Sequence, residues 1–409
     1  MIPVATVSVL AIGAALRLTW GQDIEFKYDE RWLYERATLV GHEPFPWLGM
    51  ASSLRLLNPG LSIWVFIVLA KIAGATTPIG LARAVQVLNI LALVLMAVFA
   101  WTSVEQRERE PWLWAVALGA VNPMAVELAR KIWQQSVLPV FTVGVVVGWW
   151  HRDKRWGAFL WGLIGVCMGQ IHISGFFLAG GFALWAFLFD RTRTRWFSWT
   201  GGCLVGLAPM LPWLVYLPRA FASRPTDSFA IVRLLFPVYW AYWFVEPLGV
   251  GLWQSLGAHF PAFLATGPSH VVGLLHASAI LLGVVLFWLV MTRCVGSRER
   301  GRGLLIGHSP TAFTTQAVFL GCGALMTGST LMIHRSYMNA TFPLEFVWLA
   351  YMVVGGNGGE RSKRVARWAL AMLWVVELLI SVSFLQYIHV NGGARGADYG
   401  AAYSAQPLR

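Results

Sequence analysis

The sequence predicts an all-α polytopic membrane protein with about 11 transmembrane helices. The chain of 409 residues is 57% hydrophobic and 12% charged, and it contains 23 tryptophans. Apolar segments of about 20 residues, the length at which a helix crosses a bilayer, recur along the whole chain. Basic residues are concentrated in the loops between these segments, as in the cytoplasmic loops of membrane proteins. The pattern excludes a soluble domain, and the net charge of +12 is explained without a nucleic-acid partner.

We expect one transmembrane domain over residues 1–409. The predicted spans lie near residues 2–20, 82–104, 112–128, 136–150, 157–171, 174–189, 196–217, 270–292, 312–333, 338–355 and 366–388. The first span lacks a small-residue cleavage site, so we interpret it as a retained helix. The apolar stretch Leu61 to Ala73 is only about 13 residues long and is predicted to be an interfacial or re-entrant helix.

The loops between the spans set the predicted orientation. Five basic clusters fall on one side of the membrane, which the positive-inside rule makes the cytoplasm. These clusters are Arg107/Arg109, Arg152/Lys154/Arg155, Arg191/Arg193/Arg195, Arg293/Arg298/Arg300/Arg302 and Arg361/Lys363/Arg364/Arg367. The N-terminus is then cytoplasmic and the C-terminus extracytoplasmic. The external segments are the first loop 21–81, a large loop 218–269 rich in proline and aromatic residues, and the tail 389–409.

The first loop contains a dense group of acids. Asp23, Glu25, Asp29 and Glu30 lie within eight residues, in a chain with only 19 acidic residues. The spacing from Asp29-Glu30 to Tyr34 places the pair at the start of a helix, where unpaired N–H groups and the helix dipole favour carboxylates. An acid held at a membrane surface is suited to act as a general base. The alternative is a solvated loop that ends a helix.

Candidate cations lie on the same predicted side. Arg335 stands between two apolar spans with no acidic neighbour in sequence. Its planar guanidinium is suited to binding a phosphate, and the alternative is an arginine that snorkels to the interface. Arg130 and Lys131 form either a second cationic site or a helix-end anchor. His172 is either a residue that binds the substrate or a hydrogen-bonded packing residue. The four cysteines have no metal-ligand spacing, so no metal site is predicted.

Three short motifs occur in a recognisable order and on one predicted side. They are Asp29-Glu30 in the form Asp-Glu-x-x-x-Tyr ending at Tyr34, Asn58-Pro59 before the interfacial helix, and Arg335-Ser336-Tyr337 to Pro343. This arrangement resembles the GT-C superfamily of polyprenyl-phosphate-sugar-dependent glycosyltransferases, in particular the branch with the lipid A aminoarabinose transferase and the protein O-mannosyltransferases. The resemblance implies a GT-C-like bundle with external interfacial helices.

The resemblance also implies roles for individual residues. Asp29 would be the catalytic base, and Glu30 would position the acceptor or the base. Arg335 would bind phosphate, with Tyr337 nearby.

Relatives carry a lysine where this chain has Asn58, which shifts phosphate binding towards Arg55, Arg130 or Lys131. Tyr34 and His172 complete the expected binding residues. The branch generally needs no catalytic metal.

The implied function is an inverting hexosyl- or pentosyltransferase of a bacterial-type inner membrane. It would move a sugar from a polyprenyl phosphate to a lipid, glycan or protein acceptor on the extracytoplasmic face, without a cofactor.

Two alternatives remain from the residues themselves. A lipid-linked glycan polymerase or ligase would use arginines of the large loop, namely Arg219, Arg224 and Arg233. A secondary transporter or flippase would need polar groups near the midplane and broken helices in corresponding halves. Asn89, Asn122-Pro123 and Gln316 are the candidates, although the sequence has no internal repeat.

Overall fold

Helices form nearly all of the regular structure in the computed structural model, which describes residues 3–52, 56–222, 237–295, 307, 309–355 and 359–406. The helices of this part are α1 (Val4–Leu18), α2 (Tyr28–Thr38), α3 (Leu61–Ala73), α4 (Pro78–Thr102), α5 (Arg109–Val121), α6 (Pro123–Leu128), α7 (Leu138–Trp150), α8 (Arg155–Ile171), α9 (Ser174–Phe189), α10 (Trp196–Leu207), α11 (Leu211–Ala222), α12 (Val238–Val245), α13 (Trp253–Leu256), α14 (Phe260–Leu264), α15 (Val271–Val295), α16 (Pro310–Gln316), α17 (Gly323–Gly328), α18 (Leu344–Val354) and α19 (Glu360–Asn391). Two antiparallel strand pairs accompany them, β1 (Leu48–Ala51) with β2 (Leu57–Pro59) and β3 (Gly393–Ala394) with β4 (Gly400–Ala401).

Some residues of the sequence analysis lie outside the described part. They are Arg55, Arg224, Arg233, Arg298, Arg300 and Arg302.

Four helical stretches of the described residues are long and apolar enough to cross a membrane. They are Pro78–Thr102, Trp196–Ala220, Pro268–Thr292 and Glu360–Asn391. Shorter apolar helices are Val4–Leu18, Leu61–Ala73, Ser174–Phe189 and Leu344–Val354. The predicted number of about 11 spans is therefore not confirmed. In the segment predicted to span from residue 338, the α-helix begins only at Leu344, because Arg335–Ala340 forms a 3-10 helix whose polar side chains bond to neighbouring segments.

Helices α7, α8 and α9 run alternately between two ends of the bundle, joined by short turns. The acidic end, as we name it, carries α2 and the start of α7, and the basic end carries the turn after α7. The 13 residues of α7 rise by about 20 Å between the two. At the basic end, the Trp150 indole donates to the carbonyl of Ser103, 3.2 Å away, and Arg367 pairs with Glu110 at 2.7 Å. The loops after α4 and α7 and the start of α19 thus meet at one end.

Helix α3 covers the apolar stretch Leu61–Ala73 and contacts α2, α4 and α8. It ends at Gly74, whose φ of +59° is a left-handed conformation that glycine adopts without a side-chain clash. This turn leads directly into α4, which begins at Pro78. Helices α2 and α3 and the strand pair β1–β2 therefore form one structure next to the start of α4.

Helix α12 packs within the bundle, although it belongs to the proline-interrupted loop 218–269. The Tyr239 hydroxyl donates to the carbonyl of Val318 at 3.0 Å, and the Trp240 indole donates to that of Phe319 at 2.9 Å. These carbonyls belong to a π-helical segment, Ala317–Cys322, between α16 and α17. Because a π-turn disturbs the regular i to i−4 bonds, side-chain donors from a neighbouring helix can satisfy its carbonyls. Helix α12 thereby lies against the middle of the stretch from α16 to α17.

The tail after α19 is built onto the first loop. A β-bridge joins Glu25 to Ala402, and the N–H of Tyr403 donates to the carbonyl of Ile24 at 2.9 Å. The Tyr399 hydroxyl donates to the backbone carbonyl of Asp23 at 2.6 Å. Asp23 and Tyr399 are both buried. The acidic loop therefore takes its backbone conformation partly from a segment at the far end of the sequence.

Candidate active site

The Asp29-Glu30 pair occupies the first turn of α2, as the sequence predicts. Lys27 precedes the helix in an extended conformation, and its N–H donates to the Glu30 carboxylate at 2.9 Å. This bond fixes the start of the helix because it satisfies a donor just before the first turn. The positive end of the helix dipole further favours both carboxylates.

The two carboxylates differ in availability. Glu30 is 2% exposed and is engaged by the backbone of Lys27. Asp29 is partly exposed, and its carboxylate makes no hydrogen bond or ion pair within the described residues. Burial raises the pKa of Asp29, and the nearby Lys27 ammonium opposes that shift. Asp29 is therefore the carboxylate of the pair that is free to accept a proton from a bound molecule.

Glu25 connects the acidic loop to the bundle. Its carboxylate lies 2.5 Å from the Lys27 ammonium and also pairs with the ammonium of Lys131. Burial raises the pKa of Glu25 to about 7, while Lys131 and Lys27 act in the opposite direction. Both Glu25 and Lys131 are 2% exposed, so this is a buried contact between the first loop and the segment after α6.

Lys131 also contacts a second carboxylate. Its ammonium lies 3.3 Å from Glu127, four residues earlier in the sequence. Burial by itself would lower the pKa of Lys131, but the carboxylates of Glu25 and Glu127 raise it above the ordinary value for lysine. The side chain therefore stays protonated although it is almost fully excluded from solvent.

Arg335 completes the arrangement from the opposite side of Glu127. Its Nη1 donates to the Ser255 hydroxyl at 2.6 Å and lies 3.6 Å from Glu127, and its Nε lies 3.3 Å from Glu246. Ser255 in turn donates to the Glu127 carboxylate, 2.7 Å away. Burial would lower the pKa of Arg335, but Glu246 and Glu127 raise it.

These contacts connect five charged residues and one serine in a continuous series, which we call the ion-pair network. In order, its members are Glu25, Lys131, Glu127, Ser255, Arg335 and Glu246. The network links the acidic loop to the late arginine at one end of the bundle. The acids and cations were predicted as separate groups, whereas they alternate in the structure. Alternation is the physically favourable arrangement, because a buried charge without a partner is costly.

Arg130 has a different environment from its neighbour Lys131. Its guanidinium donates to the carbonyls of Thr19, at 2.5 Å, and Trp20, at 2.8 Å, at the end of α1. It also approaches the carbonyl of Arg17 at 3.2 Å. Carbonyls at a helix C-terminus lack intrahelical partners and attract cations. In this structure Arg130 therefore contacts the end of α1, and its role in phosphate binding stays a prediction.

Tyr34 and His172 also make structural contacts. The Tyr34 hydroxyl donates to the carbonyl of Thr76 at 2.8 Å, which joins α2 to the turn before α4. His172 lies with its Nε2 2.9 Å from the Gln135 amide nitrogen and its ring against Tyr337, with the ring centroids 4.8 Å apart. Burial lowers the pKa of His172 to about 3, and His172 is therefore a neutral imidazole at pH 7.

Tyr337 and Arg335 sit on the 3-10 helix Arg335–Ala340. The Asn339 amide donates to the backbone carbonyl of Gln135 at 2.9 Å, which holds this helix against the turn before α7. Two residues before Arg335, Ile333 lines a mainly apolar cavity of about 220 Å³. The late motif therefore lies at the acidic end, next to an apolar space.

Sequence reasoning missed two members of the network. Glu246 and Ser255 lie in the segment 218–269, which was predicted only as a large external loop. Glu246 is the one carboxylate in a long aromatic stretch, residues 237–260, and an ionisable residue in apolar sequence is a site candidate. That signal was present, but nothing in the sequence indicated that Arg335 is the partner of Glu246. Ser255 carried no signal.

Within the described residues, no group of three or more His, Cys, Asp and Glu side chains is arranged to hold a metal ion.

No family model and no curated protein matches the chain. Among solved structures, the chain is similar to the apo oligosaccharyltransferase of Archaeoglobus fulgidus, with a TM-score of 0.49, 15% identity, and coverage of 92% of this chain and 55% of that chain. The same archaeal enzyme with an inhibitory peptide and a dolichol-phosphate gives a TM-score of 0.47 at 14% identity, covering 92% and 56%. ArnT from Cupriavidus metallidurans in the apo state gives 0.39 at 15% identity, covering 92% and 77%.

The chain thus spans little more than half the length of the archaeal oligosaccharyltransferase.

Proposed function

We propose that the protein is an integral membrane glycosyltransferase that moves a sugar from a polyprenyl phosphate to an acceptor at the acidic end. The observation that carries the proposal is the position of Asp29. It is a carboxylate without a described partner, held at a helix start beside a network of buried, charged residues that reaches Arg335. A free acid that can accept a proton and fixed cations that can stabilise a leaving phosphate are the two elements that such a transfer uses.

Asp29 would act as the general base. Its raised pKa brings it closer to the pKa of the group that it deprotonates, which favours proton transfer. The acceptor oxygen or nitrogen would then attack the anomeric carbon as the bond from that carbon to the phosphate oxygen breaks. Direct displacement of this kind inverts the anomeric configuration and needs no cofactor or catalytic metal.

Glu25 and Glu30 would position the base rather than take part in proton transfer. Both carboxylates are buried and already engaged, Glu25 by two ammonium groups and Glu30 by a backbone N–H. Because they fix the loop on each side of Lys27 and Tyr28, they limit the movement of Asp29. Positioning of this kind contributes to the rate by holding the reacting groups in place.

The departing phosphate would be stabilised by Arg335 and Lys131. The neighbouring carboxylates keep both side chains charged despite burial, and a fixed cation stabilises developing negative charge strongly in a site without water. The carboxylates of Glu127 and Glu246 would share these donors with the phosphate. Tyr337 and the exposed His334 border the same position.

The orientation follows from the distribution of basic residues. The basic end gathers the loops after α4 and α7 and the start of α19, and such loops face the cytoplasm in most membrane proteins. The acidic end would then face the extracytoplasmic side of a bacterial-type inner membrane. A polyprenyl-phosphate sugar would reach it from the outer leaflet, and the acceptor would be a lipid, a glycan or a protein.

The transporter alternative is less well supported by the polar groups within the bundle. The Asn89 amide donates to the carbonyls of Val85, at 2.9 Å, and Ser136, at 2.8 Å. The Asn122 amide donates to the carbonyl of Glu246 at 2.8 Å and to the Glu377 carboxylate at 3.0 Å. These groups are committed to internal bonds, whereas a transport site needs groups that can bind a substrate.

The test is sugar transfer by the purified full chain in liposomes. The donor is a polyprenyl-phosphate sugar, and the products are the glycosylated acceptor and free polyprenyl phosphate. We expect both products from the wild-type protein, with inverted configuration at the anomeric carbon. Turnover of a pyrophosphate-linked glycan alone would instead support a polymerase or ligase. Uptake of labelled substrate without a covalent product would support a transporter.

A further inference from the structure

A polar cavity of about 430 Å³ opens at the basic end, opposite the candidate active site. Three segments form it: the turn between α7 and α8, the end of α9 with the residues that follow, and the start of α16. The turn contributes Arg152 and Lys154, and the residues after α9 contribute Asp190 and Arg193. The length of α7 separates this cavity from the acidic end by about 20 Å. The proposed transferase reaction makes no use of it.

One wall of the cavity is a rigid ion pair. The Arg152 Nε donates to the Asp190 carboxylate at 2.8 Å, and its Nη2 donates to the same oxygen. The guanidinium also lies over the rings of Trp149, 4.4 Å from the centroid, and Phe313, 4.9 Å away. Arg152 is thus neutralised and held against two stacked aromatic rings. It shapes the wall and is not available to a ligand as a free charge.

Two other cations of the lining have no such partner. Within the described part of the chain, the Lys154 ammonium and the Arg193 guanidinium make no hydrogen bond or ion pair, and both side chains are exposed. The only further charge among the lining residues is Asp153. Asp190 compensates Arg152, and Asp153 can compensate only one of the two remaining cations. The lining therefore carries a net positive charge. Three adjacent arginines, Arg155, Arg191 and Arg195, increase the positive potential at the rim.

The surroundings of the cavity are those of a membrane surface. Trp150, Phe189 and Phe313 line it together with the charged residues. Next to it, the last turn of α9 presents Phe187 and Leu188, which are 56% and 57% exposed. Large exposed apolar side chains beside a basic cavity match a ligand that has an anionic headgroup and hydrocarbon chains. A soluble phosphate compound would have no use for the apolar part.

We propose that this cavity binds the anionic headgroup of a phospholipid from the leaflet at the basic end. Lys154 and Arg193 would contact the phosphate diester, the wall made by Arg152 and Asp190 would set the position of the headgroup, and the acyl chains would lie along Phe187 and Leu188. Basic pockets between transmembrane helices bind such headgroups through charge and shape together. The proposal does not depend on the transferase reaction.

The test is lipid binding by the purified full chain in detergent, measured by native mass spectrometry with added phosphatidylglycerol or phosphatidylcholine. We expect one tightly bound phosphatidylglycerol and no equivalent phosphatidylcholine. The double variant Lys154→Ala/Arg193→Ala should bind phosphatidylglycerol about 30-fold more weakly, because each surface cation contributes about fivefold. The matched control is Arg361→Ala/Arg364→Ala, which removes two exposed cations from the start of α19 that do not line the cavity. It should bind the lipid like the wild-type protein.

Two results would overturn the proposal. Equal loss of the lipid in both double variants would show that only overall charge matters. Unchanged binding in Lys154→Ala/Arg193→Ala would show that the cavity is not the site. Inorganic phosphate is added as a competitor, because it distinguishes a site for a lipid phosphate from a site for a soluble phosphate. Displacement of the lipid by millimolar phosphate would identify a site for a soluble anion and contradict the lipid assignment, whereas retention of the lipid would support it.

Discussion

Lys131 and Arg335 share the carboxylate of Glu127. The Lys131 ammonium lies 3.3 Å from one oxygen, and Nη1 of Arg335 lies 3.6 Å from the other. Two cations that are far apart in sequence thereby contact one carboxylate, which offsets the repulsion between them. In the proposed reaction, this carboxylate keeps both cations in place before the donor phosphate arrives.

The first prediction concerns the base. Asp29→Asn keeps the size of the side chain but removes its ability to accept a proton, so transfer should fall by about 10²- to 10⁴-fold. The measurement is the initial rate of product formation in liposomes at saturating donor. The matched control is Glu35→Gln, an exposed position on the same helix, which should leave the rate unchanged. A rate for Asp29→Asn near that of the control would remove Asp29 from the mechanism.

The second prediction uses the pH dependence of stability. Burial raises the pKa of Asp29 in the folded protein. A carboxyl with a raised folded pKa stabilises the fold less as the pH rises from the unfolded pKa through the folded one. Asp29→Asn should therefore raise the midpoint of thermal unfolding at pH 7, but not below about pH 3, where aspartate is protonated in both states. A midpoint difference that does not change with pH would contradict the burial of this carboxylate.

The third prediction concerns the centre of the network. Lys131→Met leaves the buried carboxylates of Glu25 and Glu127 without their shared cation, which should cost about 3 to 5 kcal/mol in the free energy of unfolding. Chemical denaturation in mild detergent measures the loss. Adding Glu25→Gln to this variant should restore part of the stability. Lys71→Met, at an exposed position at the end of α3, is the control and should change stability by less than about 0.5 kcal/mol. Equal effects of the two lysine variants would exclude a buried role for Lys131.

The fourth prediction separates positioning from binding at Arg335. Glu246 touches Arg335, and we propose that it orients the guanidinium without contacting the donor. Glu246→Gln should therefore raise KM for the donor more than it lowers kcat, and Arg335→Met should affect both. In a double-mutant cycle, the two changes should show a coupling energy of about 0.5 to 3 kcal/mol. Strictly additive effects would mean that the two side chains act independently.

The fifth prediction concerns the tail. Tyr399→Phe removes the hydroxyl that donates to the Asp23 carbonyl, at a cost of about 1 kcal/mol. The first loop should then be cleaved faster by a protease, and the transfer rate should fall with it. The control is Tyr28→Phe. Tyr28 belongs to the first loop, but its side chain is 76% exposed. Unchanged cleavage of Tyr399→Phe would show that the tail does not hold the loop.

Local features were predictable from the sequence. The start of α2 at Tyr28 follows from the acidic pair and the helical spacing after it, and α3 covers the apolar stretch Leu61 to Ala73. Both depend on contacts within one helix or on one apolar run, so a short window contains the information. The predicted span from residue 338 shows where such a window fails. Hydrophobicity alone did not reveal the 3-10 helix that presents Arg335.

The pairing within the site was not predictable. Arg335 has no acid near it in sequence, and its partner Glu246 is 89 residues away. Arg130 and Lys131 are neighbours in the chain, yet one binds helix-end carbonyls and the other two carboxylates. Both residues follow the end of α6 at Leu128, so what each contacts depends on the packing of distant segments. A single sequence does not contain that packing in readable form.

The bonds between the tail and the first loop also impose an order on biogenesis. Lys27 and the Asp398 backbone with which it bonds are separated by 371 positions, which a ribosome takes roughly 20 to 70 s to traverse. During most of that interval the first loop lacks its bonds to the tail, although its contact with Lys131 can already form. The candidate active site is therefore complete only after α19 and the tail residues that follow it have been made.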